Sequence, residues 1–257
     1  MFKGVKVQDF LKSFKTEMKC QQYLFDIKWE KGFECRKCGH NECWKGRTRF
    51  HARCIRCDYD ESLTANTYFH KIQISLQMAF WMVYEIAVLK KGLSTEDLAK
   101  VNGIDQRTAW RFKNKVQEAM QTWLLSNLEI KENEKNSRID GLILTHREED
   151  LNGLQRTNLT IEKYRSKFAK RKYTTLKSSV QFPDAIDPCH LIFGKYVDYG
   201  KDIRAWNFKG WLTGTHHHCS EKYLDLYMDE FSFKMNHSNR QEYIWHTVIV
   251  AMMCKPR

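Results

Sequence analysis

Two C-x2-C pairs, Cys35 with Cys38 and Cys54 with Cys57, stand 15 residues apart. No other feature limits the fold of this chain so tightly. Each pair suits a tight turn that aims two thiolates at one centre, and two such turns close a tetrahedral site of four sulfurs. The stretch that contains them, ECRKCGHNECWKGRTRFHARCIRC (residues 34–57), holds five of the chain's nine cysteines. Cys43 breaks the pairing and reads as a spare thiol. His40 and His51 could substitute as ligands, although a four-cysteine set does not need them. Four thiolates leave no open coordination position, so the expected metal is structural Zn2+ with no chemistry of its own. The alternative is a cluster of reduced thiols without metal.

A metal is preferred to disulfides because of the expected compartment. No apolar run approaches the roughly 20 residues of a membrane span. The start, MFKGVKVQDFLKSF, lacks the apolar core of a signal peptide. The cytoplasm, with nucleoid association, is therefore the expected location, and disulfides are rare there.

Charge points to the partner. Among 257 residues the net charge is +12 and the pI about 9.2, a balance that favours polyanions, nucleic acid first. Within residues 28–57, nine cations (Lys28, Lys31, Arg36, Lys37, Lys45, Arg47, Arg49, Arg53 and Arg56) oppose Glu30, Glu34 and Glu42. Trp29, Trp44 and Phe50 are interleaved with them. CWKGRTRFHARC alternates well enough to be a pair of antiparallel strands between the two turns. Basic side chains such as Lys45, Arg47 and Arg49 on those strands would face phosphates. A ribbon that binds protein is the competing reading.

Around the ribbon the pattern is helical. Phe10, Leu11, Phe14, Met18, Tyr23, Leu24 and Ile27 fall at helical spacing, which predicts one or two helices packing on the ribbon. IQISLQMAFWMVYEIAVLK (72–90) predicts a buried helix. In KGLSTEDLAKVNGIDQRTAWRFKNKVQEAMQTWL, Ser94 with Asp97 reads as an N-cap, Gly103 as a break, and a second helix starts near Asp105. That is a helix-turn-helix, whose second helix would present Arg107, Arg111 and Lys115, with Gln106 at its start. Ala109, Trp110, Phe112 and Val116 would be its buried side. Residues 129–137, EIKENEKNS, read as a linker, and RIDGLIL beyond it as a strand with an acid near its centre. Residues 202–236 read as two helices around a Gly-Thr-His turn, with Tyr223, Leu224, Tyr227, Met228, Phe231 and Met235 repeating at three and four.

The order of these pieces resembles the zinc-ribbon transposases of insertion sequences, the ISXO2-like group. The blocks that carry the resemblance are KWEKGFECRKCGH, SLTANTYFHK, KKGLSTEDLAK with TAWRF, and FKGWLTGTHHHCSEKYLDLYMDEFSFKMN. Together they span most of residues 8–125 and 205–236. The resemblance implies a front end that binds double-stranded DNA at the element's terminal inverted repeats. Behind it comes a ribonuclease-H-like domain, whose acids hold two Mg2+ or Mn2+ ions for strand cleavage and transfer. It also implies a homo-oligomer acting on paired ends.

By that resemblance Asp140 matches the first catalytic acid, while Gly141 stands where the family has Glu. KYTTLK (172–177) matches the element that follows the second acid, but IEKYRSKFAKRK ahead of it supplies no such Asp, and the spacing from Asp140 is short by a few tens of residues. Lys209 matches the family's Lys, and Asp202 occupies the place of its His, Asn or Glu. His216, His217 and His218 invite a second metal, and Asp229 and Glu230 read as surface or capping acids.

The expected class is therefore a multi-domain α+β chain. Residues 1–70 form the helical lead and ribbon, 71–128 the helix-turn-helix region, 129–137 a linker, and 138–257 a shortened ribonuclease-H-like α/β domain. The expected function is that of a DNA-binding transposase with weak or absent strand transfer, a degenerate or internally deleted copy. The alternative is a non-catalytic DNA-binding protein.

Overall fold

The computed structural model describes residues 2–4, 6–89, 91–131, 137–144, 155–166, 172–182, 203–216 and 221–254. They divide into two compact units, one of residues 1–88, 98–119 and 240–257, the other of residues 89–97 and 120–239. No described helix is long and apolar enough to cross a membrane.

The first unit opens with α1 (Val7–Ser13) and α2 (Glu17–Lys28). Thr16 caps α2, its side-chain oxygen accepting from the Lys19 N–H. The small sheet follows: β1 (Cys43–Lys45), β2 (Ala52–Cys54) and β3 (Asp60–Glu61), antiparallel in that order. Register places Trp44 opposite Arg53 and Lys45 opposite Ala52. The strand pair expected in CWKGRTRFHARC is thus β1 and β2.

Then comes α3 (Leu76–Val88), buried around most of its circumference, as its sequence predicts. Glu17 fixes its start: one carboxylate oxygen accepts from Leu76 N–H at 2.9 Å and the other from Gln77 N–H at 3.0 Å. An anion there also suits the positive end of the helix.

The core of this unit is aromatic. The last helix, α8 (Gln241–Met253), brings in Trp245, which is fully buried and donates its indole N–H to the Phe80 carbonyl at 3.1 Å. Rings of Phe2, Phe10, Phe14, Tyr23 and Phe80 surround it at 4.8–5.5 Å between centroids. Helix α1 packs into this cluster, while α2 also reaches the ribbon, where Phe25 meets Phe50. Residues 241–253 therefore belong to the first unit although they lie at the far end of the chain.

Two helices joined by a short turn follow. α4 (Thr95–Asn102) is capped by Ser94, which accepts from Asp97 N–H at 3.0 Å. Gly103 takes φ +62° at the turn, where other residues would be strained. α5 (Gln106–Asn127) is capped by Asp105, whose carboxylate accepts from Thr108 N–H. Asn102 ties α4 to α3 by donating to the buried Glu85 carboxylate at 2.7 Å.

In the second unit, β4 (Leu128–Lys131), β5 (Ser137–Leu144), β6 (Gln155–Ser166) and β7 (Lys172–Phe182) make an antiparallel sheet. β7 runs along one edge of β6, and β5 and β4 share the other edge in succession. β4 takes up the first residues of the stretch read as a linker. α6 (Ile203–His216) and α7 (Glu221–Asn236) follow. α6 continues through Gly214 and Thr215, so the Gly-Thr-His segment expected as a turn is helical. Neither Gly210 nor Gly214 meets a neighbour that a side chain would displace, so nothing breaks the helix there.

Glu85 yields a test. Burial holds its carboxyl above the ordinary value of 4.5, although Asn102 and Trp81 donate to it. The folded state thus holds this proton more tightly than the unfolded chain, so its contribution is most favourable at acid pH and is lost as pH rises through the folded pKa. Relative to wild type, Glu85→Gln should gain urea midpoint as pH goes from 4.5 to 7.5, measured by circular dichroism.

Candidate functional site

The two C-x2-C turns are built alike. In the first, Cys35 N–H donates to the His40 carbonyl and Gly39 N–H to the Cys35 carbonyl, both at 2.8 Å. In the second, Cys54 N–H donates to the Tyr59 carbonyl at 2.9 Å and Asp58 N–H to the Cys54 carbonyl at 3.1 Å. Each turn is completed by a residue in the left-handed region, Gly39 at φ +71° and Asp58 at φ +57°. Glycine and aspartate reach that region more readily than most residues.

These turns bring the Sγ atoms of Cys35, Cys38, Cys54 and Cys57 within 4.8 Å of one another. The Cys35–Cys57 and Cys38–Cys54 separations are 3.5 Å, far beyond a disulfide bond. A tetrahedral zinc with bonds of about 2.3 Å needs edges of about 3.8 Å. The donor set and its spacing fit a metal such as zinc.

Burial raises the Cys35 thiol, but N–H groups of Cys38 and Lys37 and the neighbouring thiols outweigh it, and the value falls to about 7. Cys57 is pulled down by the Tyr59 N–H, yet burial and the other three thiols hold its proton up to about 12. A divalent cation would displace these protons. Among the described residues this is the one group positioned to hold a metal. Cys43 is exposed and stands outside it. His40 faces Glu42 at 3.8 Å and His51 faces Asp60 at 3.6 Å, so neither imidazole completes the set.

The ribbon's positive charge is smaller than residues 28–57 suggest, because Asp58, Asp60 and Glu61 come directly after them. Extending the window to Glu61 leaves nine cations against six acids, net +3. Glu61, 2% exposed, accepts from Lys28 at 2.9 Å and pairs with Arg36 at 3.3 Å. Lys28 also donates to the carbonyls of Ser62 and Ala65. Burial lowers its pKa, and the Glu61 carboxylate opposes that. Lys28 therefore anchors the ribbon to α2 and does not face a phosphate. Arg53 lies 3.1 Å from Asp58.

Lys45 and Arg49 are exposed around the β1–β2 hairpin, beside Trp44 at 63% exposure, and Arg47, also exposed, faces Asp60 at 3.6 Å. The hairpin depends on Gly46: a Cβ there would strike the His51 backbone and the Asp60 carboxylate.

On α5, Arg107 and Arg111 are exposed one turn apart. Lys115 is half-buried, its ammonium donating to the His70 carbonyl at 3.1 Å. Ala109, Phe112 and Val116 are buried as expected. Trp110 is not, at 37% exposure: it lies one residue, about 100° around the helix, from the Ala109–Phe112–Val116 stripe.

Of the residues matched to catalysis, Asp140 lies in β5 and Lys209 in α6, while Asp202 falls outside the described residues. The β5–β6 register shifts between Ile139 and Leu142, so Asp140 and Gly141 form a bulge. His217 and His218 also fall outside the described residues. His216 packs against the rings of Tyr227 and Trp211, at 4.4 and 5.3 Å. Glu230, expected at the surface, is fully buried and pairs with Lys234 at 2.9 Å, while Asp229 accepts from Gln121 at 2.6 Å. Leu224, Met228 and Phe233 of α7 are buried as well.

Residues 205–236, most of α6 and α7, match the family described as the ISXO2-like transposase domain. No curated protein and no solved structure matches the chain significantly. Within the matched segment the two helices pack together: Phe208 and Trp211 meet Phe231 at 5.4 and 5.8 Å.

Zinc analysis of the purified protein should find about one ion per chain. Cys38→Ser should lose it, and Cys43→Ser should keep it. Chelation should unfold the ribbon, read as loss of zinc-dependent ellipticity.

Proposed function

We propose that this chain is a DNA-binding protein of insertion-sequence transposase descent. A zinc-closed ribbon and the α4–α5 helix-turn-helix would grip the element's terminal inverted repeats, and strand transfer is weak or absent. The observation that carries the reading is the pairing of the ISXO2-like segment with an assembled front end. Four sulfurs converge on one centre, and Arg107 and Arg111 stand exposed on the first turns of a capped second helix. Recognition helices read base edges from that end. The exposed Lys45, Arg47 and Arg49 would add phosphate contacts.

The back end supports the negative half of the proposal. Two-metal chemistry needs carboxylates converging from several elements. The chain offers Asp140 by resemblance, with Gly141 beside it in the bulge. The second edge of β5 has no partner strand among the described residues. Asp202, a further donor by resemblance, lies outside the described residues, and no catalytic step is derived through Mg2+ or Mn2+. An oligomer on paired ends is part of the proposal by family alone.

Fluorescence anisotropy with the terminal repeat and with a scrambled duplex tests binding. Affinity for both should fall steeply between about 50 and 200 mM salt. Arg107→Ala should cost about 1–3 kcal/mol on the terminal repeat and narrow the preference, and Arg111→Ala should weaken binding. Binding indifferent to salt would sink the reading. In a separate assay with Mg2+ or Mn2+, no cleaved or joined ends are expected. Product that disappears in Asp140→Ala would overturn the loss of catalysis.

A further inference from the structure

The segment between the ribbon and α3 ends in Lys71, the last residue of SLTANTYFHK, and Lys71 sits at φ +52°. Two other non-glycine residues share that region, Asp58 and Asn66. Their short polar side chains can bond locally to the backbone, whereas lysine has no such compensation. A strained position of this kind persists only where its surroundings over-determine it.

Here they do. Thr67 is buried and donates to the Thr64 carbonyl at 2.8 Å, while its hydroxyl accepts from Phe69 N–H. Tyr68 N–H donates to the Met252 carbonyl at 2.9 Å, and Lys115 holds the His70 carbonyl from α5. On the far side, Ser75 caps α3 by accepting from Met78 N–H. Residues 71–74 are thus a pinned strap beside α5, and the Lys71 side chain is exposed.

Strap and helix enclose a cavity of about 130 Å3 lined by Lys71, Ile72, Gln73 and Ile74 on one wall and Thr108, Arg111, Phe112 and Lys115 on the other. Its floor is apolar and its rim cationic. Arg111 is shared between this cavity and the exposed face of α5.

We infer that Lys71 and Arg111 form a clamp for one DNA backbone phosphate beside the recognition helix, with the sugar over Ile72 and Ile74. The occupant is duplex DNA because the charge is complementary to phosphate and the notch adjoins the helix proposed to enter the groove. This rests on the DNA-binding reading above. The strap contributes register and not sequence choice, since a phosphate carries no base identity.

The test uses the full-length, zinc-loaded protein with labelled terminal-repeat and scrambled duplexes over a salt series. Lys71→Gly relieves the φ constraint, so its melting temperature should be unchanged or higher. It should nevertheless weaken both duplexes by the same factor, roughly fivefold, and reduce the log–log salt slope by about 1. Lys71→Arg should keep the slope. Wild-type affinity and slope in Lys71→Gly would overturn the clamp while leaving the DNA-binding reading intact, and so would a loss confined to the terminal repeat. Absence of salt-dependent binding in the wild type would remove both.

Discussion

The front of this molecule is built around four sulfurs that converge on one centre. Little else fills the interior of the ribbon. Its buried cluster is Phe33, Cys35, Ala52 and Cys54, with Trp29, Cys38, Cys57 and Tyr59 packed at its edge. Half of those residues are the metal-ligand candidates themselves. The strands are two or three residues long, too short for backbone pairing alone to be stable in water. Ligating the four thiolates would supply the closure that apolar burial does not, because metal binding to such a site is folding free energy. The backbone turns are fixed for that purpose: the same hydrogen-bond pair recurs at both, each finished by a left-handed residue.

A ribbon closed this way is a rigid platform, and its charge is sorted on it. Glu61 is buried and draws Lys28 and Arg36 inward, joining the ribbon to α2. The cations left outward are those of the hairpin, Lys45, Arg47 and Arg49. Removing Glu61 would leave a buried ammonium without its counter-charge, whereas a hairpin arginine could be removed with little effect on folding. The cations that stabilise the fold and those left at the surface are therefore different, a few residues apart. The same division recurs on α5, where Lys115 turns back to His70 and Arg107 and Arg111 point out.

The aromatic core organises the rest of the first unit. Trp245 needs an acceptor for its indole N–H as well as an apolar shell, and the Phe80 carbonyl supplies one. That single side chain draws α1, α2 and α3 around α8. Along the chain, α8 follows directly on the ISXO2-like segment, yet its packing partners lie near the first residues.

Local rules were enough for much of this. The C-x2-C spacing specified both turns and the four-sulfur set. Ser94, Gly103 and Asp105 marked the helix-turn-helix limits, because caps and left-handed turns depend on neighbours within a few positions. RIDGLIL read as a strand for the same reason. What the sequence could not decide depended on partners distant along the chain. Nothing in Glu61 or Glu230 as letters says that each is buried against a lysine, nor that Trp110 is exposed while Phe112 is not. The assignment of α8 to the first unit, the bulge at Asp140 and the strap that holds Lys71 at positive φ are of the same kind. Composition and spacing determined which pieces would form and that four thiols would converge. Only the tertiary structure decided which charges were used up inside the protein and which remained outside, because burial and ion pairing are set by what the folded chain brings alongside each residue.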